Sequence, residues 1–228
     1  MDDHRGEQLL RLVAVMDQLR SPGGCPWDAE QTHDSLATYL LEETYETLEA
    51  IDSGDRVHLR EELGDLLLQV VFHARVAAED PHDPWTIDDV ARGISDKLVR
   101  RHPHVFGDAS AQSAAHVEAS WDRLKAAEKQ RTSALDGVPQ ALPALSLATK
   151  TIGRAERAGV GPDLPQPPTG GAAAESAMHE GDVGDALLAL VAQARSAGVD
   201  PEQALRRAVA RYADQVRRRE TGVVDEAT

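Results

Sequence analysis

Apolar residues recur every three or four positions along most of the chain, the spacing that places them on one face of an α-helix. A first stripe runs from Leu9 to Leu19 and ends at Ser21-Pro22-Gly23-Gly24, a sequence that breaks helices. Two further stripes run from Leu36 to Ile51 and from Leu59 to Ala74, separated by Gly54. No segment alternates apolar and polar residues as a half-buried strand does. The pattern therefore predicts an all-α fold.

The remainder of the chain predicts further helices and one linker. Thr86 followed by Asp89 is typical of a capping box and predicts a fourth helix through Leu98. A fifth helix is predicted from about residue 113 to 129. Residues 159–174 are rich in Pro, Gly and Ala and predict a linker, after which one helix ends near Ala197 and another begins at Asp200-Pro201. Because few residues join the second and third helices, we expect these two to pack antiparallel.

The two halves of the chain share a residue pattern at an offset of 120 positions. Chance is a poor explanation, because the offset has no gap and retains three dipeptides. The sequence therefore predicts two copies of one helical unit. The copies differ in chemistry, since Asp182 stands where the first has Glu62. The repeated pairs are Gly64-Asp65, Ala74-Arg75 and Asp80-Pro81 in the first copy and Gly184-Asp185, Ala194-Arg195 and Asp200-Pro201 in the second.

Composition narrows the possible partners. The net charge of −15 argues against binding a nucleic-acid backbone, because neutralising phosphates requires a basic face. The sequence contains no run of about eighteen apolar residues, the length that would indicate a membrane span. The N-terminus lacks the features of a signal peptide. The single cysteine, Cys25, excludes an internal disulfide and a multi-cysteine zinc site. We therefore expect a cytoplasmic protein with neither nucleic acid nor a membrane as a partner.

Acidic residues cluster on the second and third helices. Glu43 and Glu46 are three positions apart on one helix, Glu62 and Asp65 are three apart on the next, and Glu42 flanks the first pair. If the helices are antiparallel neighbours, four carboxylates converge and raise each other's pKa. A divalent cation relieves that repulsion, and oxygen-only ligands favour Mg²⁺, with Mn²⁺ as a further possibility.

Two other interpretations of the acidic residues were weighed. A solvated charged face is the first, and it stays open because Arg60 can pair with the acids across the hairpin. A di-iron carboxylate bundle is the second, but it requires two Glu-x-x-His motifs. Glu30 and His33 have this spacing but lie near a loop, so this alternative is discounted.

Basic and aromatic residues suited to a nucleotide follow the acidic helices. Lys97, Arg100 and Arg101 lie at the end of the fourth helix, where they either complement the helix dipole or hold phosphate oxygens. Trp121 and Lys125 are four positions apart, so that a ring for stacking on a base and a charge for a phosphate share one face. Ordinary core packing of Trp121 is an equally weighted alternative.

The acidic pattern, Glu42-Glu43-x-x-Glu46 followed by Glu62-x-x-Asp65, resembles the EExxE…ExxD signature of the MazG-type all-α nucleoside triphosphate pyrophosphohydrolases. The resemblance covers about residues 7 to 158. Other segments that are similar to the family are Gly24-Cys25-Pro26-Trp27-Asp28 with Gln31-Thr32, Ile94-Ser95-Asp96-Lys97-Leu98, Arg100-Arg101-His102-Pro103-His104-Val105-Phe106 and Leu142-Pro143-Ala144-Leu145.

This resemblance implies tandem helical-bundle domains that form a homodimer. It also implies Mg²⁺-dependent hydrolysis of a nucleoside triphosphate to the monophosphate and pyrophosphate, in the service of nucleotide-pool house-cleaning. The implied roles are as follows: Glu43, Glu46, Glu62 and Asp65 bind the metal, Glu42 orients or deprotonates the attacking water, Lys97, Arg100, Arg101 and Lys125 neutralise the triphosphate, and Trp121 contacts the nucleoside.

The second copy departs from the family pattern. A Gly/Ala linker replaces its acidic helix, Arg211 stands for the expected lysine, and Asp214 and Gln215 stand for the expected arginines. We therefore predict that this copy serves packing alone. The predicted domains are a catalytic domain over residues 1–130, a connecting helix and linker over 131–174, the degenerate copy over 175–222 and a tail over 223–228. Two rival functions are a non-catalytic nucleotide- or metal-binding regulatory module and a structural dimerisation bundle.

Overall fold

The computed structural model describes residues 6–107, 132–165 and 180–220, and the regular elements within these ranges are all helices. The all-α prediction is confirmed. Contacts divide the chain into two units, Met1–Asp122 and Arg123–Thr228. The first contains α1 (Glu7–Arg20), α2 (Pro26–Glu30), α3 (His33–Ser53), α4 (Arg56–Ala77), α5 (Ile87–Arg101) and α6 (Pro103–Phe106). The second contains α7 (Ala144–Ala158), α8 (Glu180–Ser196) and α9 (Pro201–Glu220).

A hairpin of α3 and α4 is the most extensively packed pair of helices in the first unit. Gly54 ends α3 with φ of 72°, a left-handed conformation that glycine adopts without strain. The Asp55 carboxylate then caps α4 by accepting hydrogen bonds from the backbone N–H groups of Val57 and His58, at 2.9 and 3.1 Å. Because only two residues separate the helices, they run antiparallel, as the sequence predicts.

The core of the first unit lies where α1 crosses the hairpin. Its buried residues are Met16 from α1, Leu36 from α3 and the pair Val71 and Phe72 from α4. The turn after α1 requires glycine at position 24, because a Cβ atom there would clash with the backbone carbonyl oxygens of Gln18 and Leu19. The short helix α2 follows this turn and was not predicted, since five residues are too few to show an apolar period.

Arg20 fastens α2 to the end of α4. Its side chain is only 3% exposed, and its Nη2 and Nε donate to the Glu79 carboxylate at 2.7 and 3.0 Å. Its Nη1 donates to the carbonyl oxygens of Asp28 and Gln31. The guanidinium also lies over the Phe72 ring, 5.5 Å from its centroid. A buried charge is tolerated here because all three guanidinium nitrogens donate hydrogen bonds.

The fourth predicted helix is α5, which begins as the sequence indicates. The Asp89 carboxylate accepts hydrogen bonds from the Thr86 N–H and hydroxyl at 2.9 and 2.8 Å, and the helix runs to Arg101, three residues beyond Leu98. The helix predicted over 113–129 lies outside the described residues. No helix in the described ranges is long and apolar enough to cross a membrane.

In the second unit, α7 packs against α8 and α9. Gly159 ends α7 with φ of 67°, and the next six residues form no helix. This agrees with the start of the predicted linker, whose residues 166–174 lie outside the described ranges. The buried apolar residues of this unit are Val138, Ile152, Ala189 and Val191.

Candidate metal centre

Three carboxylates of the hairpin meet at one place. Glu43 on α3 and Glu62 and Asp65 on α4 each offer an oxygen that lies within 4.8 Å of the other two. The hairpin explains the meeting, because Glu43 is eleven residues before Gly54 and Asp65 is ten residues after Asp55. Residues at similar distances from a tight turn stand at similar heights in an antiparallel pair. Glu62 is three residues before Asp65 and therefore shares its face of α4.

Glu62 is the buried member of this cluster, with 8% of its surface exposed. The Nε2 of His58 lies 2.9 Å from its Oε1 and donates to it. Its Oε2 is buried and has no hydrogen-bond partner among the described residues. A buried carboxylate oxygen without a partner is costly, by about 1–3 kcal/mol or more. A cation between the three carboxylates would satisfy it, so the donor set fits a metal ion.

Electrostatics at Glu43 indicate the same fit. Partial burial raises the pKa of Glu43, and the negative charges of Asp65, Glu46, Glu62 and Glu42 raise it further, in that order. In the absence of a cation, this carboxylate holds a proton more readily than an isolated glutamate does. A hard divalent cation with oxygen ligands, such as Mg²⁺ or Mn²⁺, suits the site.

The structure brings together three of the four predicted metal ligands. Glu46 is exposed on α3 and lies outside the group of three, although its charge acts on Glu43. Glu42, the predicted water-orienting residue, is also exposed and also acts on Glu43. Both residues border the cluster on its solvent side, and their predicted roles stay predictions.

Three of the four predicted phosphate-binding residues lie on α5, which packs against α4. Lys97 and Arg101 are half-buried, whereas Arg100 is exposed. Arg100 and Arg101 form part of the last turn of the helix, where the dipole also favours them. Trp121 and Lys125 lie outside the described residues. The roles assigned to these five residues therefore stay predictions.

Two residues at the site were missed by the sequence analysis. His58 precedes Glu62 by four positions, and that spacing was the available signal for its ion pair. Thr47 follows Glu43 by four positions and is 7% exposed, with no hydrogen-bond partner for its hydroxyl within the described part of the chain. Nothing in the sequence distinguished Thr47 from a core residue of the apolar stripe.

The fold and the site define an all-α protein with a cluster of carboxylates on a helical hairpin that fits a cation. Residues 31–106, which contain every carboxylate of the centre, match the MazG nucleotide pyrophosphohydrolase domain. With relatives of 43% identity that are covered over most of their length, the chain belongs to the MazG family.

Three relatives illustrate the extent of the similarity. An uncharacterized 26.1 kDa protein of Streptomyces cacaoi is 50% identical over 94% of this chain and 84% of its own length. The nucleoside triphosphate pyrophosphohydrolase of Mycobacterium tuberculosis is 45% identical over 95% of this chain, which spans only 59% of that protein. The enzyme of the same name from Escherichia coli K12 is 43% identical over 88% of this chain and 82% of its own length.

Proposed function

We propose that this protein hydrolyses nucleoside triphosphates to the nucleoside monophosphate and pyrophosphate. The observation that carries the proposal is the convergence of Glu43, Glu62 and Asp65, with a buried oxygen on Glu62 that has no hydrogen-bond partner among the described residues. These residues hold Mg²⁺, or Mn²⁺ in its place, and Glu46 is a further ligand from the exposed side. Support comes from the relatives that bear the name nucleoside triphosphate pyrophosphohydrolase. The physiological role is nucleotide-pool house-cleaning.

The chemistry is a phosphoryl transfer to water. A water oxygen bonds to the α-phosphorus, the bond from that phosphorus to the bridging oxygen breaks, and pyrophosphate leaves. Glu42 orients this water and takes up its proton. When bound, the cation neutralises charge on the phosphate oxygens. Lys97, Arg100, Arg101 and Lys125 neutralise further charge, and Trp121 contacts the nucleoside.

One assay tests the proposal. The full chain is incubated with Mg²⁺ and a panel of ribo- and deoxyribonucleoside triphosphates, and pyrophosphate and orthophosphate are quantified separately. We expect Mg²⁺-dependent pyrophosphate release that falls more than about 100-fold in Asp65→Asn and Glu43→Gln, as expected for loss of charged groups that stabilise the transition state. Glu49→Gln, an exposed position on α3 outside the cluster, should retain activity.

Other outcomes of this assay would replace the proposal. Release of orthophosphate without pyrophosphate would mean that a different bond is cut. Nucleotide binding without either product would indicate a non-catalytic regulatory module. Neither binding nor turnover would indicate a structural bundle.

We further propose that the second unit is a copy of the first that has lost its site. Support comes from matched contacts: Arg75 pairs with Asp17 on α1 at 2.7 Å, and Arg195 pairs with Glu156 on α7 at 2.6 Å. Asp80 and Asp200 each accept hydrogen bonds from the backbone N–H groups two and three residues later. The offset of 120 residues relates Arg75 to Arg195 and Asp80 to Asp200, whereas it does not relate their partners Asp17 and Glu156.

We also propose that the protein is a homodimer that pairs through the hairpin. Support comes from large apolar side chains that the chain leaves exposed on α3 and α4, and apolar surface of this extent marks interaction sites. Light scattering should give a molar mass twice that of the chain. The Leu67→Glu substitution should lower this mass to that of a single chain. Leu10→Glu, on the exposed face of α1, is the matched control. The exposed apolar residues of the two helices include Tyr39, Leu40, Leu41, Tyr45, Leu63, Leu67 and Val70.

A further inference from the structure

Thr47, on α3 of the hairpin, carries a buried hydroxyl. Thr47 is 7% exposed, and its Oγ1 is buried and makes no hydrogen bond to any described residue. Threonines in helices commonly satisfy their hydroxyl by donating to the carbonyl four residues back. Thr44, one turn away on the solvent side of α3, does this with the Leu40 carbonyl oxygen at 2.7 Å. Thr47 does not, so its hydroxyl is available to another group.

The hairpin places Thr47 at the height of Glu62 and one helical turn from Glu43. Thr47 follows Glu43 by one helical turn, and residues four apart share a face of the helix. It is seven residues before Gly54, and Glu62 is seven residues after Asp55, so the two stand at the same height in the hairpin. The buried Oε2 of Glu62 also has no hydrogen-bond partner among the described residues. Two such oxygens, on residues that are 7% and 8% exposed, therefore stand at the same height of the hairpin.

We propose that Thr47 is a positioning residue of the metal centre. Its hydroxyl and the Oε2 of Glu62 hold one water molecule between them, while His58 holds the other oxygen of the same carboxylate. Because each carboxylate oxygen has two acceptor positions, Oε2 keeps one of them for the cation. A hydroxyl both donates and accepts, and a buried water makes about three hydrogen bonds, so this arrangement satisfies groups that are otherwise unpaired. Fixed at both oxygens, Glu62 is oriented toward Glu43 and Asp65 before a cation binds. The inference rests on the proposed function.

A purely structural role makes the opposite prediction. Valine has the shape of threonine without its hydroxyl and is the residue that the apolar stripe of α3 would favour. If the hydroxyl has no partner, Thr47→Val removes a buried unsatisfied group and stabilises the protein without changing the site. If the hydroxyl positions Glu62, the same substitution weakens the centre. Loss of groups that orient metal ligands typically lowers metal affinity or activity about 10- to 100-fold.

The experiment compares the full-length wild type with Thr47→Val, Thr47→Ser and Thr44→Val. The melting temperature is measured in EDTA and then against increasing Mg²⁺ and Mn²⁺, which gives metal affinity independently of activity. Pyrophosphate release is measured over the same range. We expect Thr47→Val to keep the wild-type melting temperature in EDTA but to require about 10- to 100-fold more metal in both assays. Thr47→Ser should restore most of the affinity, and Thr44→Val should match the wild type.

Each outcome decides one question. Wild-type metal dependence in Thr47→Val, with pyrophosphate release intact, would overturn the role of Thr47 and leave the proposed function standing. Absence of Mg²⁺-dependent pyrophosphate release in the wild type would overturn the proposed function itself. If Thr47→Val fails to fold, Thr47→Ala and Thr47→Ser are compared instead, and equal metal dependence in these two would also overturn the inference.

Discussion

The pKa of Glu43 reflects the burial of this residue and the negative charges around it at the candidate centre. Its pKa is raised above the usual 4.5, first by burial and then by its acidic neighbours. A raised pKa means that the folded protein binds this proton more tightly than the unfolded chain does. The contribution of Glu43 to folding is therefore fully present below the unfolded pKa and is lost as pH rises through the folded pKa. Once Glu43 is ionised, its charge beside the other carboxylates destabilises the folded protein in the absence of metal.

We therefore expect Glu43→Gln to raise the melting temperature of the metal-free protein at neutral pH. Solvent screens this partly exposed site, so the gain should be at most about 1 kcal/mol, or roughly 2–4 °C. The gain should disappear at a pH below 4.5, where wild-type Glu43 is protonated in both states. In excess Mg²⁺ the wild type should have the higher melting temperature, because the cation stabilises the wild type but not Glu43→Gln. A wild type that is more stable in EDTA at neutral pH would contradict this account.

Residue spacing was sufficient to predict that Glu43, Glu62 and Asp65 converge, because helical periodicity and one tight turn determine their heights and faces. It was not sufficient to separate Glu46 from the group, since three-residue spacing leaves the choice between the interior and solvent open. His58 was missed although its four-residue spacing from Glu62 on α4 is the signal for this contact. Thr47 was missed because the sequence does not show whether a buried hydroxyl finds a partner on the neighbouring helix.

At the scale of elements, the α3–α4 hairpin is held in place by a charged clamp at its open end. Glu79, just beyond α4, accepts hydrogen bonds from both Arg20 and Arg75. These bonds, led by that from Arg20, lower the pKa of Glu79. A lowered pKa contributes stability above the unfolded value of 4.5, and this contribution is lost as pH falls through the folded value.

Glu79→Gln should therefore destabilise the protein at neutral pH and have little effect in acid. A hydrogen bond to a charged group contributes about 1.5–3 kcal/mol, and exposure of Glu79 to solvent reduces this to about 1–2 kcal/mol. Arg20 would remain buried with its charge only partly compensated. Urea unfolding at several pH values would measure the difference, which should narrow steadily as pH falls below 4.5. A constant difference across this range would exclude ionisation of Glu79 as its cause.

The longer elements were predictable because each has a local start or stop. Gly54 ends α3, and the Thr86–Asp89 capping box starts α5. The helix α2 had no such signal of its own. It is held instead by Arg20, which lies outside α2 and donates to the carbonyl oxygens of Asp28 and Gln31 near the end of that helix. Tertiary contacts of this kind are invisible to periodicity.

At the scale of the whole molecule, the two units have unequal chemistry. In the second unit Asp182 and Asp185 begin α8 at the positions that Glu62 and Asp65 occupy in α4. Within residues 6–107, 132–165 and 180–220, the one group of three potential chelating residues is that of Glu43, Glu62 and Asp65. A cation bound by only two carboxylates at a helix start would be held weakly. Activity should therefore reside in the first unit.

The double substitution Asp182→Asn and Asp185→Asn in the full chain tests this assignment. The double substitution removes two carboxylates but leaves the first centre intact. Pyrophosphate release and the Mg²⁺ concentration for half-maximal activity should therefore stay within about twofold of the wild-type values, which corresponds to a negligible change in activation free energy. Asp65→Asn, the matched change in the first unit, should abolish release. If the double variant loses activity while its melting temperature and helical content are unchanged, the second unit contributes directly to the reaction, and the loss of its acidic helix does not mean loss of function.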